Sequence, residues 1–290
     1  MCDEQTDAQN AEWLSRREFG VAGAGLVVMA TIPGCSAAQT ASGDLPVKGR
    51  AVTVTTPDGK VDAWFYAPET GKHPGVIMWP DIAGLREAYK TMAARLASAG
   101  YAVLVVNHYY RGAVAPVLES LVQWRTPEGQ AKLKPLIAGI TPAGTMNDAK
   151  AFVAWLDTQP EVDTAKRIGT CGYCMGGPYT VRSAAAVPTR IGAAASFHGA
   201  GLVGEGPDSP VNLLAKTSAS FLFAIAQNDD ASAPGDKTAL AAAAKAAGRP
   251  AEIEVYPAQH GWCTIDAPIY DKAQAEKAWG RMLALYAASL

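Results

Sequence analysis

Two hydrophobic patterns alternate along most of this chain. Short runs of consecutive apolar residues are typical of strands buried on both faces of a sheet, and longer stretches between them have helical spacing. The predicted buried strands are Gly75 to Trp79, Ala102 to Val106, Ile168 to Cys171, Ala193 to Phe197, Phe221 to Ala226 and Ile253 to Tyr256. The predicted helices are Glu87 to Ser98, Asn147 to Thr158, Gly176 to Val187, Asp236 to Ala247 and Asp271 to Ser289. The alternation predicts an α/β domain with a mostly parallel central sheet and helices on both faces.

Two regions depart from this rhythm. Val52 to Thr55 and Val61 to Tyr66 alternate apolar and polar residues around a P-D-G turn, which predicts an opening hairpin. Residues 111–146 form a long connection rich in proline and glycine, with two short helical pieces predicted at Val114 to Trp124 and Glu128 to Ala138. Long irregular segments near the carboxyl edge of a sheet often act as lids, although a surface excursion without a role is the alternative.

Residues 1–40 are interpreted as a twin-arginine export signal and linker. Residues 15–19 (S-R-R-E-F) precede an uncharged run that is shorter than the roughly twenty residues of a membrane span. Residues 36–38 (S-A-A) resemble a cleavage site. Alternatively, residues 32–35 (I-P-G-C) resemble a lipoprotein box that would give a lipid anchor at Cys35, but Pro33 is unusual there. The prediction is therefore a periplasmic or secreted protein that uses the twin-arginine export machinery.

Residues 50–290 have the length of one domain. The net charge is only −2, and no basic run is interleaved with aromatic residues, so nucleic acid is not an expected partner. Of the five cysteines, Cys171, Cys174 and Cys263 fall in this domain. An odd number without framework spacing excludes a disulfide scaffold.

The strongest chemical signal is the pattern G-x-C-x-G centred on Cys174, between a predicted strand and a predicted helix. It is a nucleophile elbow with cysteine in place of serine. Glycine is needed on either side because a Cβ atom would strike the neighbouring elements in so sharp a turn. The start of a helix favours a thiolate and can hold a developing oxyanion. Cys174 is therefore the candidate nucleophile.

Two other interpretations of Cys174 stay open. A cysteine is often only a small buried hydrophobic residue. Cys171 and Cys174 also form a C-x-x-C pair, which could be a thiol–disulfide redox site. A thioredoxin-like domain would carry that pair just after its first strand, whereas here about half of the chain precedes it. Cys171 moreover falls on the strand, where its side chain should point into the core.

A thiol nucleophile needs a base and a group that orients the base. In a fold with a nucleophile elbow the chain order is nucleophile, acid and histidine, each after a strand. His260 follows one strand, and Asp229 and Asp230 follow another. The predicted base is His260 and the predicted acid is Asp229, with Asp230 as the alternative. Of the other histidines, His108 and His198 end strands and could line the pocket.

The loop after Gly75 to Trp79 should supply a second oxyanion donor. The backbone N–H groups of Ile82 and Met175 are predicted to point at the same oxygen. Asp81 in this loop is either a polar contact to the thiol region or a surface turn residue.

These motifs together resemble the dienelactone hydrolase family of α/β-hydrolases. The resemblance covers nearly everything from Val52 onward, and its specific parts are residues 172–177 (G-Y-C-M-G-G), 81–84 (D-I-A-G), 107–111 (N-H-Y-Y-R) and 260–262 (H-G-W). It implies a Cys-His-Asp triad that opens an ester or lactone through an acyl-thioester intermediate, without a metal or another cofactor.

The resemblance also suggests residues that bind substrate. Asp81 matches a glutamate that contacts the resting thiol, and Arg111 matches an arginine that helps to bind a substrate carboxylate. The second arginine of the family is replaced by Thr264, which removes a charge-assisted contact. Trp262 makes the pocket look more apolar instead. A non-catalytic binding protein on the same scaffold is a further alternative, although all three triad positions are filled.

Overall fold

A computed structural model describes residues 44–290 of the chain. The predicted export signal and Cys35 therefore lie outside the described residues, and their function stays a prediction. Among the helices of residues 44–290, none has the length and apolar character needed to cross a membrane.

The centre of the domain is one eight-stranded sheet in the order β1-β2-β4-β3-β5-β6-β7-β8. Its strands are β1 (Val47–Thr56), β2 (Gly59–Pro68), β3 (Gly75–Trp79), β4 (Ala102–Val106), β5 (Ile168–Tyr173), β6 (Ile191–Phe197), β7 (Ser220–Ala226) and β8 (Ala251–Tyr256). Strands β1 and β2 form the predicted antiparallel hairpin, closed where Thr56 pairs with Gly59. Strand β2 pairs antiparallel with β4, and every later pairing is parallel. The predicted α/β-hydrolase architecture, with a mostly parallel sheet, is confirmed.

Helices cover both faces of this sheet. They are α1 (Glu87–Ser98), α2 (Pro127–Ala138), α3 (Pro142–Leu156), α4 (Gly177–Ala186), α5 (Pro210–Leu213), α6 (Gln227–Ser232), α7 (Asp236–Ala247) and α8 (Lys272–Ser289). Strand β3 shows how the two layers arise from sequence, because all five of its residues are buried. Ile77 and Trp79 belong to the core layer that includes residues of α3, α4 and α7, whereas Val76 and Met78 belong to the layer that includes residues of α1 and α8. Alternate residues of a strand face opposite sides, so an unbroken apolar run needs cover on both.

Among the parts of the chain that differ from the prediction, two lie close to the site. The helix expected over Val114 to Trp124 is reduced to a 3₁₀ turn, Leu121–Arg125. Pro116 lies inside the expected helix, and proline lacks the N–H group that a helix interior requires. Helix α6, which follows β7, was missed because its polar sequence Q-N-D-D-A-S has no apolar periodicity.

The position of the candidate site is set by the carboxyl ends of the parallel strands. The carboxyl ends of β3, β5, β6, β7 and β8 meet at one edge of the sheet, as their parallel registers require. Each of the loops that follow these strands carries a polar or reactive residue predicted above to be functional.

Candidate active site

Cys174 lies in a sharp turn at the end of β5, with a backbone φ of 52°. Such a left-handed conformation costs a non-glycine residue about 1–3 kcal/mol, and it is found mostly at functional sites. A Cβ atom on Gly172 would lie 2.1 Å from the carbonyl oxygen of Gly176, and one on Gly176 would lie 2.5 Å from the carbonyl oxygens of Trp79 and Pro80. Both glycines are therefore required by close backbone contacts, as the elbow pattern predicts.

His260 lies between Cys174 and a carboxylate. Its Nδ1 is 2.8 Å from Oδ2 and 3.0 Å from Oδ1 of Asp229, while its backbone N–H donates to the side-chain oxygen of Asn228 at 2.8 Å. Asp230, the alternative acid, instead accepts a hydrogen bond from Lys237 at 2.7 Å. The two neighbouring carboxylates project in different directions from helix α6, so only Asp229 hydrogen-bonds to His260.

His260 also hydrogen-bonds to the Cys174 side chain. Burial alone would lower the pKa of His260, but the negative charges of Asp229 and Cys174, with their hydrogen bonds, raise this pKa well above its usual value. A raised pKa of His260 favours the imidazolium, and an imidazolium beside a cysteine favours the thiolate, which is the reactive form of cysteine.

Ile82 and Met175 flank the thiol from two loops. Met175 follows Cys174 in the 3₁₀ turn Cys174–Gly176. Ile82 lies in the turn after β3, in which the carbonyl of Asp81 accepts from the N–H of Gly84 at 2.9 Å. The C=O and N–H of a trans peptide point in opposite directions, so the N–H of Ile82 points out of the turn. Ile82 lines the same pocket as Cys174, and this arrangement is compatible with a shared oxyanion.

Asp81 is buried and forms part of an ion network, so the interpretation as a surface turn residue is wrong. Its two carboxylate oxygens accept from the Arg86 guanidinium at 2.7 and 2.9 Å. Arg86, also fully buried, donates at 2.8 Å to each oxygen of Asp266, which accepts from the backbone N–H of Leu121 at 3.3 Å. The network thereby links the loop after β3 to the segment 111–146.

That segment covers the thiol. Leu121, Trp124 and Arg125 of its 3₁₀ turn line the pocket that contains Cys174, together with Asp81, Ile82, His198, His260, Gly261, Pro268 and Ile269. The pocket contains about 30 Å³ of free space in this conformation. This is room for a water molecule or two, but far less than the several hundred Å³ of a typical ligand site. The pocket is therefore too small for a ligand of ordinary size in this conformation.

Arg125 is the charged residue of this pocket that the sequence interpretation missed. Among residues 44–290 no carboxylate pairs with its guanidinium, and the side chain is partly exposed. The only available signal was its position in the predicted lid, since no periodic pattern distinguishes it from the other basic residues of that segment.

Two residues predicted to bind substrate do not line the pocket. Arg111 donates to Asp58 at 2.6 and 3.0 Å and to Asp148 at 2.8 and 2.9 Å, and these ion pairs hold it elsewhere on the domain. Trp262 is fully buried behind the pocket, stacked on Tyr256 with ring centroids 5.2 Å apart. It packs against His198 at 5.1 Å, so it supports a pocket residue rather than facing the pocket.

The two other cysteines of the domain lie in the interior. Among residues 44–290, Cys171, Cys174 and Cys263 form no disulfide bond. Cys171 lies within β5 beneath α8, and burial raises its pKa to about 12. Since thiol–disulfide exchange requires a thiolate, this environment disfavours the redox interpretation. Within residues 44–290 no group of three or more His, Cys, Asp or Glu side chains could hold a metal ion.

The fold and the site together define an α/β-hydrolase with a cysteine at the elbow. The chain belongs to the dienelactone hydrolase family, whose model matches residues 61–290. The protein is thus a hydrolase.

The names of relatives agree with this membership. A protein of Methylorubrum extorquens with the provisional name carboxymethylenebutenolidase is 28% identical over 237 residues, covering 80% of this chain and 78% of its own. A Bradyrhizobium protein provisionally named 2-oxo-3-(5-oxofuran-2-ylidene)propanoate lactonase is 26% identical over 164 residues, 55% of this chain and 61% of its own. The crystal structure of a provisionally named dienelactone hydrolase from Klebsiella pneumoniae superimposes with a TM-score of 0.71 at 27% identity, covering 83% of this chain and 98% of that one.

Proposed function

We propose that this protein hydrolyses a carboxylic ester or lactone through Cys174, His260 and Asp229, with an acyl-thioester intermediate. One observation carries the proposal: His260 bonds to Asp229 through Nδ1 and to the Cys174 side chain as well. A histidine that joins a cysteine at a strained elbow to a carboxylate is the arrangement that nucleophilic catalysis requires.

In the proposed acylation step, Sγ of Cys174 attacks the carbonyl carbon. The N–H groups of Ile82 and Met175 stabilise the negative charge that develops on the carbonyl oxygen. The C–O bond to the leaving group then breaks, and His260 gives its proton to the alkoxide. In a lactone this alkoxide stays attached to the acyl chain. Asp229 keeps the His260 ring in the orientation that both transfers need.

Deacylation reverses the roles. The oxygen of a water molecule bonds to the thioester carbon while His260 accepts a proton from that water. The C–S bond breaks, the acid product leaves, and the thiolate and imidazolium are restored. The same two backbone donors stabilise the second oxyanion, so no further group is needed to balance the cycle.

The proposed substrate is a small ester or lactone with an anionic group. The names of two relatives, carboxymethylenebutenolidase and lactonase, favour a lactone. Arg125 brings a positive charge to the pocket wall, and a guanidinium forms strong charge-assisted hydrogen bonds to carboxylates. Residues 111–146 act as the lid in this proposal, because admitting a substrate requires the turn that carries Arg125 to move.

The test is whole-protein mass spectrometry after brief incubation with activated esters and lactones, beside the variant His260→Ala. An acyl adduct on Cys174 that persists when the histidine is removed is the expected result. A full rate of ester hydrolysis in Cys174→Ala, with no adduct on the wild-type thiol, would contradict the proposal. Substrate binding without any turnover would indicate the non-catalytic alternative.

Export through the twin-arginine machinery is proposed from residues 1–40 alone. The expected product in the periplasm begins shortly after residue 38, or at a lipidated Cys35 if the lipoprotein box is used. Replacing Arg16 and Arg17 by lysine should leave the precursor in the cytoplasm. N-terminal sequencing of the exported protein distinguishes the two forms.

A further inference from the structure

The fully buried Arg86 belongs to an ion network that the cycle described above does not use. Its side chain is 0% exposed, and its guanidinium has five N–H groups in one planar fork. All five donate: Nε and Nη2 to Asp266, Nη1 and Nη2 to Asp81, and Nη1 also to the carbonyl of Gly84 at 3.1 Å. Since each donor has its own acceptor, the fork is fixed in a single orientation.

Arg86 stays charged in spite of this burial. Burial alone would lower the pKa of Arg86, but the charge of Asp81 and the hydrogen bonds to Asp266 and Asp81 raise this pKa above its usual value. Stability alone does not explain such a network, because well-packed apolar residues can replace a buried ion pair at little or no cost in stability. What apolar residues lack is the fixed geometry of the fork. The network therefore indicates a role in holding part of the site in place.

Arg86 binds both ends of the turn that contains Ile82. One end is the carboxylate of Asp81 and the other is the carbonyl of Gly84. Within the turn, Asp81 accepts from the N–H of Ala83 through its side chain and from the N–H of Gly84 through its carbonyl, both at 2.9 Å. Among the described residues, the N–H of Ile82 has no such partner. The turn thus leaves open the donor that the proposed cycle takes from this loop.

The guanidinium connects this turn to the loop that carries the proposed base. Asp266 follows His260 in that loop, and each of its oxygens accepts from the guanidinium at 2.8 Å. A second contact joins the same two segments: the N–H of Asp81 donates to the hydroxyl of Tyr89 at 3.0 Å, and this hydroxyl lies 3.4 Å from Oγ1 of Thr264. The oxyanion donor and the base are therefore fixed relative to each other, and not only by their separate strands.

We propose that Arg86 positions the backbone N–H of Ile82 for the oxyanion, by fixing residues 81–84 against the loop that carries His260. This inference rests on the proposed function, in which that N–H stabilises the oxyanion. Donors fixed in advance are effective because they need no reorganisation as the charge develops. Arg86 does not line the Cys174 pocket, so it is a positioning residue. Loss of its fork should slow the reactions that form an oxyanion and spare the reactivity of the thiol.

The matched control is Arg111, which also joins two carboxylates. It binds the exposed Asp58 at 2.6 Å and the buried Asp148 at 2.8 Å. Arg86 likewise binds one buried and one partly exposed carboxylate. Neither Asp58 nor Asp148 lines the pocket of the thiol, whereas Asp81 does. The two arginines thus make the same kind of contact and differ in what they hold in place.

The experiment compares two reactions of Cys174, of which only one forms an oxyanion, with each adduct mapped by mass spectrometry. Acylation by 4-nitrophenyl acetate passes through an oxyanion, whereas in alkylation by iodoacetamide the sulfur displaces iodide from a CH₂ carbon. Arg86→Lys keeps the charge but loses the planar fork. It should slow acylation about 10- to 100-fold and alkylation less than about threefold, since misplacing a group by about 1 Å has an effect of the larger size. Arg111→Lys should change both rate constants less than about threefold, because its contacts hold no part of the pocket.

Asp81→Asn tests the same turn if Arg86→Lys does not fold, since Arg86 keeps its pair with Asp266. An amide has one acceptor oxygen in place of two, so this variant should show the same selective loss of acylation. Equal losses in the two reactions, wild-type acylation in the folded variants, or a selective loss in Arg111→Lys would overturn the inference. If the wild type forms no acyl adduct on Cys174, the proposed function fails as well. A normal wild-type adduct with unaltered acylation in the variants sinks only this inference.

Discussion

Cys174 and Cys171 are three residues apart, yet they lie in opposite chemical environments. Cys171 belongs to a strand and packs in the interior against Tyr286 of α8, where burial raises its pKa to about 12. Cys174 has left the strand through a strained turn and meets His260 at the edge of the sheet. This comparison shows that the backbone position and the charged neighbours of a cysteine, rather than its residue type, make it reactive.

The largest expected effect separates the two thiols directly. Cys174→Ala should lower kcat/KM by at least about 10⁴-fold, because removal of a nucleophile abolishes the covalent route. Cys171→Ala should stay within about threefold of wild type, since its side chain does not reach the pocket. Steady-state ester hydrolysis checks both variants, with circular dichroism to confirm that each is folded. A large kinetic loss in Cys171→Ala would revive the redox pair as the source of activity.

The next largest effect tests the carboxylate of Asp229, which hydrogen-bonds to His260. Asp229→Asn should lower kcat by about 10³- to 10⁴-fold, because an amide both loses the charge and permits the wrong imidazole tautomer. Asp230→Asn is the matched control, since it removes only a partly exposed pair with Lys237, and such pairs contribute up to about 1 kcal/mol of stability. Similar losses in both variants would mean that the adjacent carboxylates share the role.

The pH dependence of kcat/KM tests whether the negative charge of Asp229 stabilises protonated His260. The pKa of His260 is raised, so the imidazolium that protonates the leaving group persists at neutral pH and kcat/KM should fall as pH rises through this pKa. Removing the carboxylate leaves burial as the first influence, which lowers the pKa of His260. The alkaline fall should therefore begin at a lower pH in Asp229→Asn. Profiles measured at constant ionic strength that show no shift, or a shift to higher pH, would contradict the ion pair.

The elbow and the chain order of the triad could be predicted from sequence, because both depend on local patterns. Glycines flank Cys174 since close backbone contacts admit no Cβ atom, and strand ends can be located from apolar runs. The orientation of long side chains could not be predicted. Arg111 was expected in the pocket, but buried Asp148 and exposed Asp58 hold it elsewhere, whereas Arg125 reaches the pocket from an irregular segment. Such contacts depend on three-dimensional packing that no sequence period encodes.

A smaller effect is expected from Arg125, which lines the pocket, and it is compared with that of Arg111, which does not. Arg125→Gln should raise KM about 10- to 100-fold for an ester with a carboxylate, since a charged hydrogen bond contributes about 1.5–3 kcal/mol. It should change KM little for a neutral ester of the same shape. Arg111→Gln is the control and should weaken stability without selecting between the two substrates, because its donors bind Asp58 and Asp148. A carboxylate-specific loss in Arg111→Gln alone would restore the original assignment from sequence.

The smallest kinetic effect belongs to the interior thiol, where stability rather than rate should change. Cys171→Ser is nearly isosteric, so it opens little space, but it buries a hydroxyl group in an apolar environment at a cost of about 1–3 kcal/mol. The unfolding temperature should fall by several degrees, at roughly 2–4 °C per kcal/mol for a domain of this size. Cys171→Ala, which loses packing without adding a polar group, separates the two contributions. The measurement is thermal unfolding together with kcat/KM of the same samples. A stable Cys171→Ser protein with impaired hydrolysis would show that the Cys171 thiol acts on Cys174 through the strand. The division between a structural and a reactive cysteine would then be wrong.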